Sequence, residues 1–256
     1  MISPRLSITR IVNACTLIVM GDQAVLTDPY FDEHWFMRMR EPIGMKVANL
    51  PRLAAIIGGH GVYDHWQPRS LEGYQFKETT PVFVSSRSMR EKAKTAGFGN
   101  VEVVDWNESR RISDQLTLEV VPAQKMLGHK PNSYVLNASG LRVFVGTEAR
   151  DIEPLRDYRK GRPAVDVALL PIDGSAIAGL KLVMRSSDAV EAANVLGAKI
   201  LIPIHYAMKP VPILLQTPGS IADLSHLGGP LAELEIVPLE TGRQWEWPNR
   251  VACDRV

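Results

Sequence analysis

The stretch Ile56–Trp66, IIGGHGVYDHW, sets His60, Asp64 and His65 within six positions directly behind an apolar run. The run LAAII closing on Gly58-Gly59 reads as a short buried strand that hands the chain to a polar loop. Neutral imidazoles and ionised carboxylates at a strand exit are donor types that zinc and similar ions take.

Upstream, ITRIVNACTLIVM, the turn residues Gly21 and Asp22, and AVLTDPY read as a β-hairpin. Residues 31–46, FDEHWFMRMREPIGMK, show no clean period and read as irregular or partly helical. Downstream, PVFV, SSRSMREKAKTAG and VEVVDW read as a βαβ unit with a serine-capped helix. LTLEVVPA, SYVLNAS and LRVFVG follow as strands, with Ser139-Gly140 as the turn between the last two. DVALLPI is a buried strand, Asp188 with Glu191 predicts a capping box for DAVEAANVLGA, and KILIPIHY is a strand ending on His205. Such a chain calls for two packed sheets with helices outside, and for chemistry on one rim.

Composition narrows the function. The 256 residues are 45% hydrophobic and 22% charged, enough for one large core, and no linker divides the chain, so a single domain over residues 1–256 is expected. A net charge of +1 without a Lys/Arg block leaves no electrostatic footprint for nucleic acid or an anionic membrane. The N-terminal apolar run is broken by Asn13 and is too short to span a bilayer. Cys15 and Cys253 lack metal-ligand spacing and fit two free thiols in a reducing compartment. A cytoplasmic protein acting on a small molecule is expected, with homo-oligomerisation left open. No G-x-S-x-G elbow, phosphate loop or G-x-G-x-x-G fingerprint is present.

Histidines and carboxylates cluster after strands in four places: His60, Asp64 and His65; the loop from Lys125 to His129; Glu148 after RVFVGT; and His205 after LIPI. Together with LTDPY, GFGNVEVVDWNE, LEVVPAQ and DVALLPIDG, in this order, these segments resemble the metallo-β-lactamase superfamily over nearly the whole chain. Within it they resemble the branch of ascorbate-phosphate lactonase and N-acyl-phosphatidylethanolamine phospholipase D. The resemblance implies an α/β fold, an αββα sandwich of two mixed sheets flanked by helices, with a metal site on the shared edge.

The family's first motif is H-x-H-x-D-H, and here Val62 stands in place of the second histidine. Lys125 stands where a further histidine of the first subsite is usual. The resemblance therefore leaves that subsite only His60. The second keeps Asp64, His65 and His205, with Glu148 at the bridging position. One divalent ion, zinc or manganese, is expected on Asp64, His65, Glu148 and His205, with His60 as a further ligand or, like Asp64, a proton carrier. Lys125 is expected to pair with Glu148 and stabilise charge on a substrate oxygen, and Val62 to fill the vacated volume. His129 is a second option for the lost ligand. His34 and His226 match no ligand position; Trp66 is expected to pack the motif loop, and Tyr206 and residues 208–212 to lie at the core or cleft.

These assignments imply a mononuclear hydrolase of a lactone, ester, amide or phosphodiester. The competing expectation is a metal-free or non-hydrolytic descendant of the fold, a ligand-binding protein or a biosynthetic lyase or isomerase.

Overall fold

Each half of the chain supplies the main strands of one sheet. A computed structural model describes residues 6–33, 38–125, 128–211, 214–227 and 234–247, without the side chains of residues 225 and 226. The first sheet runs β1 (Leu6–Val12), β2 (Cys15–Met20), β3 (Gln23–Thr27), β4 (Ala55–Gly58), β5 (Val82–Val84) and β6 (Val101–Val103) in that spatial order. The second holds β7 (Ser109–Arg111), β8 (Leu116–Pro122), β9 (Asn132–Ala138), β10 (Leu141–Val145) and β11 (Val167–Pro171). After β11 the chain makes a ribbon of β12 (Ala176–Ile177) and β13 (Leu180–Lys181), and returns as β14 (Ile200–Ile204) beside β11. Strand β15 (Leu215–Gln216) pairs with β12, β16 (Glu235–Ile236) extends the second sheet, and β17 (Gln244–Trp247) crosses back to β1.

The sheets repeat one plan. Strands β1 to β3 are antiparallel and β3 to β6 parallel. Likewise β7 to β10 are antiparallel, while β10, β11, β14 and β16 are parallel. Ile8, Ile18, Val25 and Ile57 of the first sheet meet Leu118, Leu136, Val143 and Ile202 of the second in one buried layer. Helix α1 (Arg87–Thr95) covers the outer face of the first sheet, setting Met89 and Ala93 against Ile56 and Val82. Helices α2 (Glu153–Arg159), α3 (Ser186–Leu196) and α4 (Ile221–Leu227) pack through Leu155, Ala189 and Leu224 on the second. Central strands covered on both faces read as unbroken apolar runs, as β4, β11 and β14 do. The result is the expected αββα sandwich.

Several local readings change. ITRIVNACTLIVM is two strands: the chain folds back at Asn13, whose φ of 49° is left-handed, so the hairpin is a three-stranded meander. Helix α3 begins earlier than the Asp188–Glu191 pattern implies. Asp188 occupies its third position and accepts the Arg185 amide at 3.0 Å, the half of a capping box that an arginine N-cap permits. Strands β7, β12, β13, β15, β16 and β17 and helices α2 and α4 are short, and their periodic signal is correspondingly faint. No helix among the described residues is long and apolar enough to cross a membrane. Cys15 is a buried free thiol; Cys253, His34 and Pro212 lie outside the described residues, as does the side chain of His226.

Candidate metal centre

Five of the parallel strands, β3, β4, β10, β11 and β14, deliver polar residues past their C-terminal ends to one rim. Asp28 follows β3, His60 and the Asp64–His65 pair follow β4, Glu148 follows β10, Asp173 follows β11 and His205 follows β14 directly. All seven are buried.

The turn out of β4 depends on its glycines. A Cβ on Gly58 would sit 2.5 Å from the Trp66 ring, and one on Gly59 would run into Thr147 Oγ1 and lie 2.7 Å from the Asn132 carbonyl oxygen. That closeness lets the loop bind the opposite sheet. The Asn132 amide donates to the Gly59 carbonyl at 2.9 Å, and the Tyr134 hydroxyl donates to the Gly58 carbonyl at 2.8 Å. Trp66 packs beneath the loop and donates its indole N–H to the Met89 carbonyl at 3.1 Å. Left-handed φ values at Asp28 (38°) and His205 (56°) mark backbone held against its ordinary preference at the same rim.

Ligand-type atoms of Asp64, His65, Glu148 and His205 all lie within 4.8 Å of one another. His65 Nε2 is 2.9 Å from His205 Nε2, 3.3 Å from Asp64 Oδ2 and 3.0 Å from Glu148 Oε1. His205 Nε2 is 3.2 Å from Asp64 Oδ2. The far nitrogens are backed by carboxylates: His65 Nδ1 faces Asp28 Oδ2 at 3.1 Å, and His205 Nδ1 faces Asp173 Oδ2 at 3.3 Å, the looser of the two. Asp28 is itself fixed by the Gly59 amide at 2.8 Å, and Asp173 by the Ser175 amide and hydroxyl at 2.9 and 2.7 Å. In the tautomers with Nδ1 protonated toward each carboxylate, both Nε2 lone pairs project toward one point, an arrangement suited to a cation there.

The electrostatics agree. Burial alone would raise the Asp64 carboxyl, but His65 and His205 hold it well below the usual carboxylate range. Glu148 behaves likewise: burial is outweighed by His65 and His60, which bring it down to about 2. Burial disfavours a charged His65, yet Asp64, Glu148 and Asp28 push it well above its usual range. His205 is pushed up to about 10, burial being overcome chiefly by Asp173 and then Asp64. Four buried carboxylates surround three buried imidazoles, and among the described residues no Lys or Arg forms an ion pair with any of them. The donor set, nitrogen and carboxylate oxygen at one buried point, fits a divalent metal ion.

His60 stands beside this cluster. Its Nδ1 is 3.4 Å from Glu148 Oε1, beyond hydrogen-bond geometry, and neither ring nitrogen has a hydrogen-bond partner. His129 is exposed and meets the His60 ring edge-on, 5.4 Å between centroids. The expected Lys125–Glu148 pair is not formed: Lys125 is exposed, its charge is felt at Asp105, and Glu148 turns to His60 and His65. Val62 is partly buried. Tyr206 turns from the rim to donate to the Leu239 carbonyl at 2.9 Å beneath the Arg10 guanidinium, and Met208 is buried. Asp28 and Asp173 escape a reading of the sequence alone, since Asp-Pro and Asp-Gly-Ser also spell turns. Their placement directly after apolar strands is the signal they share with the ligands.

The profile of a family described as the beta-lactamase superfamily domain matches residues 23–206. A protein named as a metal-dependent hydrolase in Rubrobacter xylanophilus is 25% identical over 243 residues, covering 89% of this chain and 90% of its own. A crystal structure described as a putative metal-dependent hydrolase from Parabacteroides distasonis superposes with a TM-score of 0.67 at 21% identity, covering 93% of this chain and 94% of that one. The isothiocyanate hydrolase from Delia radicum gut bacteria superposes with a TM-score of 0.74 at 15% identity, covering 93% and 98%.

Proposed function

The chain belongs to the beta-lactamase superfamily, and from that premise we propose that it is a hydrolase working through one divalent ion held by Asp64, His65, Glu148 and His205. The observation that carries the reading is the buried excess of carboxylates around two imidazole Nε2 atoms that face each other at 2.9 Å. The name of the Rubrobacter relative supports it. A divalent ion in such a position supplies Lewis acidity toward a carbonyl or phosphoryl oxygen and makes water a nucleophile near neutral pH.

The protein's own part is orientation and proton handling. Asp28 holds the Nδ1 proton of His65 and Asp173 faces Nδ1 of His205, which favours the tautomers that leave both Nε2 atoms free as donors to the ion. Glu148 Oε2, buried and without a hydrogen-bond partner, is placed to accept a hydrogen bond from a water beside the ion and so to orient it. His60 has no claim on either ring nitrogen and is positioned to donate a hydrogen bond to the reacting oxygen of the substrate. The bond cleaved is a lactone, ester, amide or phosphodiester, the range implied by the superfamily that the motifs resemble.

The test is metal content by plasma mass spectrometry alongside a hydrolysis screen across those four bond types. One zinc or manganese per chain, with metal and hydrolysis lost together in Asp64→Ala and His205→Ala, supports the reading. A folded protein that takes up neither ion sinks it in favour of a metal-free binding role. Two ions per chain would mean that His60 and His129 complete a second subsite.

A further inference from the structure

Directly after His205 the chain forms a short antiparallel ladder with the segment following residue 37. Met39 pairs with Met208, the Arg40 amide donates to the Ala207 carbonyl at 2.6 Å, and the Lys209 amide donates to the Arg38 carbonyl at 3.0 Å. Met39 and Met208 are buried in the apolar cluster outside the first sheet, which pins the ladder in place. Arg38 and Arg40 flank the buried Met39, Lys209 follows the buried Met208, and all three cationic residues are exposed.

This register sets Arg38 directly across from Lys209, and like charges in that relation repel. Among the described residues no carboxylate forms an ion pair with any of the three; Glu41, the nearest acid in sequence, is taken by Arg10 at 2.7 Å. The adjoining residues 34–37 and 212–213, HWFM and PI, carry no acid either. Arg40 is further fixed by a 3.1 Å hydrogen bond to Thr217 Oγ1, and Gly219, two residues on, donates its amide to the carbonyl of Asp173, the carboxylate that backs His205. Ala207 lies two residues from His205, so its Cα is within about 7 Å of the ligand's. Three cations without an ion-pair partner among the described residues are thus tethered to the segments that follow His205 and Asp173.

We infer that Arg38, Arg40 and Lys209 form a subsite for an anionic group, a carboxylate or a phosphate, that the substrate carries away from the bond being cleaved. The inference rests on the hydrolase reading for the word substrate, but the anion site stands or falls on its own contacts. Arginine forks suit either oxyanion, and the exposed lysine adds a point charge that steers it. The substrate is accordingly an organic anion of small-molecule size.

Calorimetric titration separates the inference from the hydrolase reading, because its probes are not hydrolysed. Phenylphosphonate and phenylacetate serve as organic anions and phenylacetamide as the neutral control, on metal-loaded protein. Wild type is expected to bind at least one anion more tightly than the amide, with affinity falling as salt is raised. Arg40→Gln/Lys209→Gln is expected to weaken that anion about tenfold, the size of two partly exposed charge-assisted contacts, and to leave the amide unchanged. The same pair of substitutions on an Asp64→Ala background is expected to give the same loss, since the subsite does not require the ion. The anion that loses more identifies the group recognised. Equal affinity in wild type and double variant, or anion affinity no greater than that of the amide, overturns the inference. Loss of metal or hydrolysis with the calorimetric difference intact overturns only the hydrolase reading. Unaltered thermal melting of the double variant shows that both exposed substitutions leave the fold in place.

Discussion

His65 and His205, which come from different sheets, face each other through their Nε2 atoms at 2.9 Å, and each turns its Nδ1 to a buried carboxylate. The pair is a preformed donor set whose orientation is decided one layer out, by Asp28 and Asp173.

Replacing either backing carboxylate therefore weakens the ion without touching a ligand. Asp28→Asn and Asp173→Asn are each expected to lower zinc or manganese affinity about 10- to 100-fold. Competition with a chromophoric chelator reads the change, and unaltered affinity in both variants would remove the orienting role.

His60 separates ligation from catalysis. His60→Ala is expected to keep the full metal content and to lose roughly 100-fold in kcat with little change in KM, the pattern of a donor acting in the transition state. Metal lost along with activity would instead make His60 a ligand.

Gly59 has no room for a side chain. Gly59→Ala must push apart the β4 turn and Thr147 on the opposite sheet, and is expected to destabilise the protein by about 1–3 kcal/mol, read as a lower midpoint in urea. A midpoint equal to wild type would show that the two sheets can slide at this contact.

On the second sheet, Glu119 joins Arg142 at 2.8 Å and accepts the Tyr158 hydroxyl of α2 at 2.7 Å. Burial pulls the Glu119 carboxyl up, but those two partners outweigh it and leave it below its usual value. A depressed acid stabilises the fold above its unfolded-state pKa, and that contribution fades as pH falls through the folded value. Stability is thus expected to decline on the acid side of about pH 4.5, and Glu119→Gln to flatten that decline while costing about 1–3 kcal/mol at neutral pH. Urea midpoints across the acid range check both; an unchanged slope in the variant would assign the acid sensitivity elsewhere.

How much of this was open to a reader of the sequence follows from how each residue acts. The four clustered candidate ligands sit behind unbroken apolar strands bounded by turn residues, so both the sandwich and its rim were legible. Asp28 and Asp173 were not, because their role is defined by a partner distant in sequence: Asp28 meets His65, and Asp173 meets His205. The direction of Lys125 was equally hidden, since a single exposed side chain carries no periodic signal. Asn13 passed for the interior of a strand because its flanks are equally β-prone on both sides of the fold-back.

The rim draws Asp28, Asp64 and His65 from the first sheet and Glu148, Asp173 and His205 from the second. Neither sheet alone owns a complete coordination shell, so affinity for the ion first appears when the two have docked. A bound ion consequently acts as a rivet across the sandwich, adding its binding energy to the mutual adhesion of the halves and to neither half separately. Chelation should loosen amide protection along the shared edge at β4 and β14 together, while the outer strands β6 and β7 keep their own pace of exchange.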